Sequence, residues 1–151
     1  ESMEDKKVRV VWALRRRNSE VIREGETRLT VPALSGVWLE KCDCMDADLY
    51  EDYVSYDCYM EGEKEPVSGG CVIFCAPKQF RFADPGLTVE ADGEWLTVTA
   101  KAYARGVEIL NEPDNMLLSD NYFDMNAGTK RVKILKGEPV GLRIRSVYDI
   151  R

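Results

Sequence analysis

Histidine is absent from the 151-residue sequence, and this absence excludes several kinds of site. Without an imidazole, the chain acting alone forms no Ser-His-Asp or Cys-His nucleophile pair, no histidine general base and no histidine metal ligand. The length also excludes a (β/α)₈ barrel, which needs about 250 residues. The sequence therefore excludes most familiar hydrolase mechanisms for this chain acting alone.

Long apolar runs and an excess of positive charge are lacking as well. No stretch of about 18 apolar residues occurs, so we expect no membrane-spanning helix. Residues 1–7 lack the apolar core of a signal peptide, which predicts either a cytoplasmic protein or a fragment of a longer chain. The formal net charge of −6 predicts no nucleic-acid and no membrane partner. The run Arg15-Arg16-Arg17 follows a strand pattern and is typical of a solvated loop.

The cysteines show neither a disulfide framework nor a zinc-binding pattern. Their number is odd, and if residues 71–75 form a strand, the sulfurs of Cys71 and Cys75 start about 13 Å apart. Structural zinc sites usually have two C-x₂₋₄-C pairs in turns, whereas the spacings here are x₁ and x₃. We therefore predict no metal and no cofactor. The thiols predicted to be reduced, and mostly buried as small hydrophobic side chains, are Cys42, Cys44, Cys58, Cys71 and Cys75.

Alternation of apolar and polar residues with a period of two dominates the chain and predicts an all-β fold. Val8, Val10, Trp12 and Leu14 would share one face of the first strand. Residues 53–59 also fit a helical stripe, but their aromatic and β-branched content favours a strand. The predicted strands cover residues 7–14, 20–23, 27–31, 34–41, 53–59, 71–75, 87–91, 94–100, 106–110, 131–135 and 142–147.

Glycine and proline predict the turns and one domain boundary. Residues 24–26, Glu-Gly-Glu, are predicted as a turn, and Asp92-Gly93 between two alternating runs is a strong hairpin signal. Pro77 ends an apolar run and is the best candidate boundary. Each half would have about 75 residues, too few for more than marginal stability, so the halves should pack against each other or against a further part. The predicted domains are residues 1–76 and 77–151.

An acid-rich stretch offers carboxylates, but not in a calcium-binding or catalytic pattern. The twelve-residue calcium loop with its central glycine is absent. No spacing indicates a cleft that holds two carboxyl groups about 5 to 9.5 Å apart, as a glycosidase requires. A solvated loop explains the stretch with fewer assumptions. Its members are Asp43, Asp46, Asp48, Glu51 and Asp52.

Aromatic side chains are candidates for stacking on sugar rings. The pattern favours a core position for Trp12, whereas Trp38 and Trp95 lie in strands of mixed pattern. The tyrosines are spaced by three, and an odd spacing reverses the face of a strand, so some of them point outward. These tyrosines are Tyr50, Tyr53, Tyr56 and Tyr59.

Residues 119–124, Ser-Asp-Asn-Tyr-Phe-Asp, predict a structured loop. The short side chains of Asp120 and Asn121 are typical of residues that cap or close a turn. Tyr122 and Phe123 would then anchor the next segment. No glycine-rich phosphate loop and no nucleophile elbow occurs in the sequence.

Several of these stretches resemble a known family. Residues 32–39 and 74–80, and above all residues 119–125 followed by 128–132, resemble the C-terminal β-sandwich modules of β-mannosidase-like enzymes of glycoside hydrolase family 2. The Ser-Asp-Asn loop before a Gly-Thr-Lys-Arg turn is the most specific of these elements.

The resemblance implies two small antiparallel immunoglobulin-like β-sandwiches in tandem. Residues 1–76 would be the mannosidase immunoglobulin-like module without its first strand, and residues 77–151 the C-terminal immunoglobulin-like module. The catalytic glutamates of such enzymes lie in a (β/α)₈ barrel that precedes these modules, so no catalytic residue is implied here. The implied role is a cytoplasmic, non-catalytic accessory region that supports this barrel, with mannosides or other oligosaccharides as further partners.

Two other functions stay open at this point. A carbohydrate-binding module would use outward tyrosines, and a free-standing sandwich would bind another protein. The accessory role differs from both because it predicts an exposed apolar patch larger than a monomer normally tolerates.

Overall fold

The structure, a computed structural model, describes residues 2–150 and consists of antiparallel β-sheets. The all-β fold predicted from the alternating pattern is confirmed. The first sheet contains β1 (Lys6–Arg16), β2 (Val21–Val31), β3 (Asp52–Met60) and β4 (Ser68–Ile73). The later elements are β5 (Thr88–Asp92), β6 (Trp95–Ala100), β7 (Ala104–Leu110), β8 (Leu117–Leu118), β9 (Phe123–Met125), β10 (Gly128–Lys136), β11 (Arg143–Arg145) and helix α1 (Val147–Ile150).

The first sheet has the strand order β2-β1-β3-β4. Strand β1 pairs with β2 on one side and β3 on the other, and the predicted hairpin between β3 and β4 is present. Alternation places Val8, Val10, Trp12 and Leu14 on one face, as predicted, and Leu14 is fully buried. The other face carries the side chain of Tyr53, which contacts the later part of the chain.

The turn predicted at residues 24–26 is wrong, because these residues lie inside the continuous strand β2. Gly25 pairs with Trp12 of β1. A Cβ atom added at Gly25 would lie 2.7 Å from the indole nitrogen of Trp12, so the glycine leaves room for the indole ring. Here glycine marks a cross-strand packing contact rather than a turn.

The strand predicted at residues 34–41 is also wrong, because residues 32–51 form turns and irregular structure. A strand needs a neighbour to satisfy its backbone hydrogen bonds, and among the described residues none pairs with this segment. The first sheet is consequently a single layer within residues 2–76. Trp38 is 98% exposed.

Residues 88–145 form two sheets, with the orders β5-β6-β10-β8 and β11-β7-β9. The predicted hairpin at Asp92-Gly93 is present, and Gly93 adopts the positive φ of 59° that this tight turn requires. The segment predicted as a strand at residues 142–147 forms β11, and α1 then begins at Val147. Strands from both sheets supply one apolar core, which contains Leu96, Val98, Ala100, Ala104, Val107, Ile109, Phe123, Met125 and Val132.

A second, aromatic core joins the first sheet to this sandwich. Tyr53 comes from β3, Phe80 and Phe82 from the connection after Pro77, and Tyr103 from the residue before β7. Pro77 lies in a turn. The division of the chain at this proline stays a prediction.

Candidate functional site

The junction between the first sheet and the sandwich is built on stacked aromatic rings. The rings of Tyr53 and Tyr103 lie 3.9 Å apart between centroids and are inclined by 15°. Phe82 stacks on Tyr103 at 5.9 Å, and Phe80 meets Tyr103 edge-on at 6.0 Å. Burial raises the pKa of both tyrosines, so both hydroxyls stay protonated through the neutral range.

Ser19 supplies the polar part of the same junction. Its Oγ lies 2.8 Å from the Tyr53 hydroxyl and accepts a hydrogen bond of 2.8 Å from the backbone N–H of Ala127. The Tyr53 hydroxyl donates to Oδ1 of Asn126 at 2.7 Å. Three segments that are distant in the sequence are thereby fixed together, and Ser19 keeps a positive φ of 71° in this position.

A cleft of about 630 Å³ lies beside the junction. One wall comes from β3 and β4, including Asp57, and the other from residues 120–126 and Lys130. Lys130 Nζ donates to Oδ2 of Asp120 at 2.7 Å. Asp124 accepts hydrogen bonds from the Tyr103 hydroxyl at 3.1 Å and from the Gly106 backbone N–H at 2.8 Å.

The Ser-Asp-Asn loop forms part of this cleft, and Asn121 holds it in place. The Asn121 side chain accepts a hydrogen bond from the Ile109 N–H at 2.9 Å and donates one to the Ile109 carbonyl at 3.2 Å. Phe123 is buried and anchors the following strand, as predicted. Tyr122 instead is 67% exposed and has a positive φ of 59°.

An exposed apolar segment lies on the first sheet's side of the molecule, in the connection between β2 and β3. We call residues 34–49 the apolar segment. Trp38 is 98% exposed and Met45 95% exposed. The other exposed apolar side chains of the segment are Leu34, Val37, Leu39 and Leu49. Monomeric proteins rarely expose a large apolar surface that has no partner.

Arginine and backbone groups hold the acidic residues of the same connection. Arg23 of β2 donates to the Asp43 carbonyl at 2.6 Å and to Asp46 Oδ2 at 3.1 Å. Asp48 Oδ1 accepts from the Tyr50 N–H at 2.8 Å.

The last two acids of the stretch lie nearer the junction. Glu51 lies 3.5 Å from both Arg17 and Arg81. Asp52 is buried in β3 and accepts from the Asp48 N–H at 2.8 Å. The prediction of a solvated loop is therefore wrong for Asp52, because its carboxylate caps the preceding turn.

The remaining sequence candidates are dispersed. Arg15 and Arg16 belong to β1 rather than to a loop, because the strand continues past Leu14. The Arg15 guanidinium donates to Ser55 Oγ and to the Ser19 carbonyl, each at 2.9 Å. Within residues 2–150, no group of three or more cysteine or acidic side chains is placed to hold a metal ion.

The cysteines are all free thiols, but they are less buried than predicted. Cys42 is exposed and the other four are half-buried. Burial raises the pKa of the Cys71 thiol to about 12, and it also raises the pKa of Cys44.

The tyrosines do point to both faces, as their spacing predicted. Tyr50 and Tyr56 are exposed, Tyr53 is fully buried, and Tyr59 lies beneath the guanidinium of Arg9 at 4.3 Å. Sugar stacking on Tyr53 is therefore excluded. Trp95 is covered by Arg131, whose guanidinium lies 4.6 Å from its ring centroid.

Apart from Tyr53, the residues that build the junction were not identified from the sequence. The only signal for Phe80 and Phe82 was that they form an aromatic pair after Pro77, and Tyr103 lies far from that pair in the sequence. Ser19 resembled an ordinary turn residue. No helix among residues 2–150 is long and apolar enough to cross a membrane.

Comparison with known proteins gives the family context. Residues 82–150 match the family model Ig_mannosidase, an Ig-fold domain. No curated protein matches the sequence. Among solved structures, the chain is similar to the β-D-mannosidase of Dictyoglomus thermophilum, with 16% sequence identity and a TM-score of 0.73 over 95% of this chain. The chain spans 19% of the length of that enzyme.

The sequence resemblance is therefore confirmed for the domain that the family model matches. Residues 82–150 form a mannosidase-like Ig domain. At this sequence identity, the similarity to the solved enzyme establishes the fold alone.

Proposed function

We propose that the chain is a non-catalytic accessory region of a β-mannosidase-like enzyme of glycoside hydrolase family 2. In this proposal, it packs against a catalytic barrel that hydrolyses terminal β-mannosides. The match of residues 82–150 to Ig_mannosidase supports the family, and the 19% span of the similar enzyme leaves room for a separate catalytic domain. The residues of this chain would support the catalytic barrel and would not themselves cleave the glycosidic bond.

The apolar segment carries this proposal. Trp38 and Met45 are almost fully exposed, which costs free energy in a monomer but favours association when a partner covers them. Tryptophan is also enriched among the residues that dominate interface energies. The partner proposed here is the outer surface of the catalytic barrel of the same enzyme.

The aromatic junction fits a supporting role. Accessory domains can fix the position of a catalytic domain only if their own parts are held rigidly. The stacked rings of Tyr53 and Tyr103 and the hydrogen bonds of Ser19 provide this rigidity. Movement of the first sheet would then be transmitted to the sandwich.

Hydrolysis of a nitrophenyl β-mannoside tests the proposed function. The isolated 151-residue chain should release no nitrophenol, whereas the product of the complete gene should release it and should prefer the mannoside to the glucoside and galactoside. Turnover by the isolated chain that is lost in Asp48→Asn or Glu51→Gln would contradict the proposal.

A pair of matched variants tests the apolar segment within the complete gene product. Trp38→Ser should lower the thermal midpoint of the enzyme, because it removes a contact with the barrel. Leu117→Ser changes another exposed apolar side chain, at 56% exposure outside the segment, and should have little effect. Equal effects of the two substitutions would argue against docking through the segment.

A cytoplasmic location is also proposed. The five free thiols support it, because an oxidising compartment favours paired cysteines. Fractionation of the source cells, with detection of the native protein, tests this location.

A further inference from the structure

The cleft beside the junction has the volume of a small-ligand site. Its volume of about 630 Å³ lies within the range of roughly 300 to 1,000 Å³ that is usual for ligand pockets. Gly69 and Gly70 of β4 line the wall opposite residues 120–126, and Gly69, which pairs with Asp57, leaves space on the face of the sheet that carries the Asp57 carboxylate. A Cβ atom at Gly69 would lie 2.8 Å from the Tyr56 carbonyl oxygen.

Several polar groups in the cleft have unused hydrogen-bonding capacity. Among the described residues, none donates to the carboxylate of Asp57, and the Asn126 amide uses only its oxygen, in the bond from Tyr53. Lys130 has three N–H donors and gives one to Asp120. The cleft therefore offers both donors and acceptors to a ligand.

The charges in the cleft select against an anionic ligand. Asp57, Asp120 and Asp124 line it, whereas Lys130 is the cation among its lining residues. Asp120 is paired with Lys130, and Asp124 already accepts from Tyr103 and Gly106. A neutral ligand rich in hydroxyl groups fits this pattern, because each hydroxyl both donates and accepts.

Tyr122 provides an apolar surface at the same cleft. Its ring is 67% exposed, yet its hydroxyl donates to Glu108 Oε1 at 2.9 Å and holds the ring in place. Glu108 is held in turn by the Arg145 guanidinium. A fixed, exposed aromatic face next to polar groups suits the C–H face of a sugar ring.

The backbone at Tyr122 is strained. A φ of 59° is rare for a bulky residue and costs free energy. The two hydrogen bonds between Asn121 and Ile109 maintain this conformation. Strain of this kind is concentrated at functional sites, and Tyr122 is one of the residues that line the cleft.

We propose that this cleft binds a neutral saccharide, with Tyr122 stacking on one sugar ring and with Asp57, Asn126 and Lys130 binding its hydroxyls. The binding site is separate from the apolar segment and needs no catalytic barrel. It would give the accessory region a direct affinity for oligosaccharides. The inference goes beyond the supporting role and does not depend on it.

Titration of the isolated chain with β-1,4-mannobiose, followed by amide chemical shifts and calorimetry, tests this inference. We expect saturable binding with shifts concentrated at residues 55–57, 68–71 and 120–126. Asp57→Asn and Tyr122→Gly should each weaken binding about tenfold or more, which corresponds to about 1.4 kcal/mol. Tyr50→Ala removes another exposed tyrosine, which lies outside the cleft, and should leave the affinity unchanged.

Tyr122→Gly also separates binding from folding. Glycine adopts a positive φ without strain, so the urea midpoint of this variant should not fall below that of the wild type, whereas its affinity for the saccharide should fall. Absence of saturation at tens of millimolar mannobiose and cellobiose would overturn the inference, as would equal affinities of the wild type, Asp57→Asn and Tyr122→Gly. Failure here would leave the barrel-supporting role intact, because that role is measured on the complete gene product.

Discussion

The ring of Tyr53 in the first sheet stacks on the ring of Tyr103, which precedes β7 of the sandwich, with their centroids 3.9 Å apart. Both side chains are almost fully buried, although they come from two parts of the chain that have separate sheets. Among the described residues, no sheet is shared by the two parts, so their relative position depends on this side-chain contact and on the hydrogen bond from the Tyr103 N–H to the Arg17 carbonyl at 3.0 Å.

Loss of the Tyr53 ring should destabilise the junction. Tyr53→Ala is expected to lower the free energy of unfolding by about 3 to 5 kcal/mol, because it leaves a cavity beside Tyr103 in the aromatic core. Tyr53→Phe removes only the hydroxyl and should cost about 1 kcal/mol. Urea denaturation measures both values, and the exposed Tyr56→Phe serves as control. Equal stability of Tyr53→Ala and wild type would show that the junction is not formed.

Gly25 should be intolerant of a side chain despite its place in a regular strand. Its Cβ would lie 2.7 Å from the Trp12 ring, so Gly25→Ala must displace the indole and should cost about 1 to 3 kcal/mol. Gly36→Ala is the matched control, since a Cβ there meets no atom within 4 Å. Thermal unfolding of the two variants compares them. Equal midpoints would contradict the packing of Trp12 over Gly25.

Alkaline pH should destabilise the fold through the thiol and phenol groups whose pKa values are raised by desolvation. Burial raises the pKa of Cys71 from 9.0 to about 12, so the folded state keeps a proton that the unfolded state releases. The stability linked to Cys71 is therefore complete below pH 9 and is lost as the pH rises from 9 to 12. The raised pKa values of Tyr53 and Tyr103 add to this loss.

Urea denaturation between pH 8 and pH 10.5 measures this dependence. Cys71→Ala should show a smaller loss of unfolding free energy over this range than wild type, whereas Cys42→Ala changes an exposed thiol and should follow the wild type. If the unfolding free energy changes equally with pH in all three proteins, Cys71 ionises as easily in the folded chain as in the unfolded one.

Trp38 should dominate fluorescence quenching in the isolated chain. It is 98% exposed, whereas Trp12 packs over Gly25 and Trp95 is covered by Arg131. Acrylamide should quench a red-shifted component of the emission, and Trp38→Ser should remove that component. An unchanged quenchable fraction in Trp38→Ser would mean that the apolar segment is covered in solution.

Local patterns in the sequence were sufficient to predict the strands that pair with a neighbouring strand. The Asp92-Gly93 hairpin and the alternation of Val8, Val10 and Trp12 follow from turn chemistry and a period of two, which are local properties. The resemblance of residues 119–132 to mannosidase modules likewise depended on a contiguous motif.

Features that depend on a distant partner could not be predicted in this way. Gly25 indicated a turn because its contact with Trp12 is made across the sheet. The segment around Trp38 has a strand-like pattern, but no described strand lies beside it, and a pattern alone supplies no hydrogen-bonding partner. The cleft likewise arises only when β3 and β4 meet residues 120–126.

Backbone hydrogen exchange in residues 34–49 tests the central claim most directly. The isolated chain and the product of the complete gene would be compared under the same conditions. The accessory role predicts rapid exchange in the isolated chain and strong protection around Trp38 in the complete protein, where the catalytic barrel covers the segment. Equally rapid exchange in both proteins, or a complete gene that encodes no catalytic barrel, would contradict it.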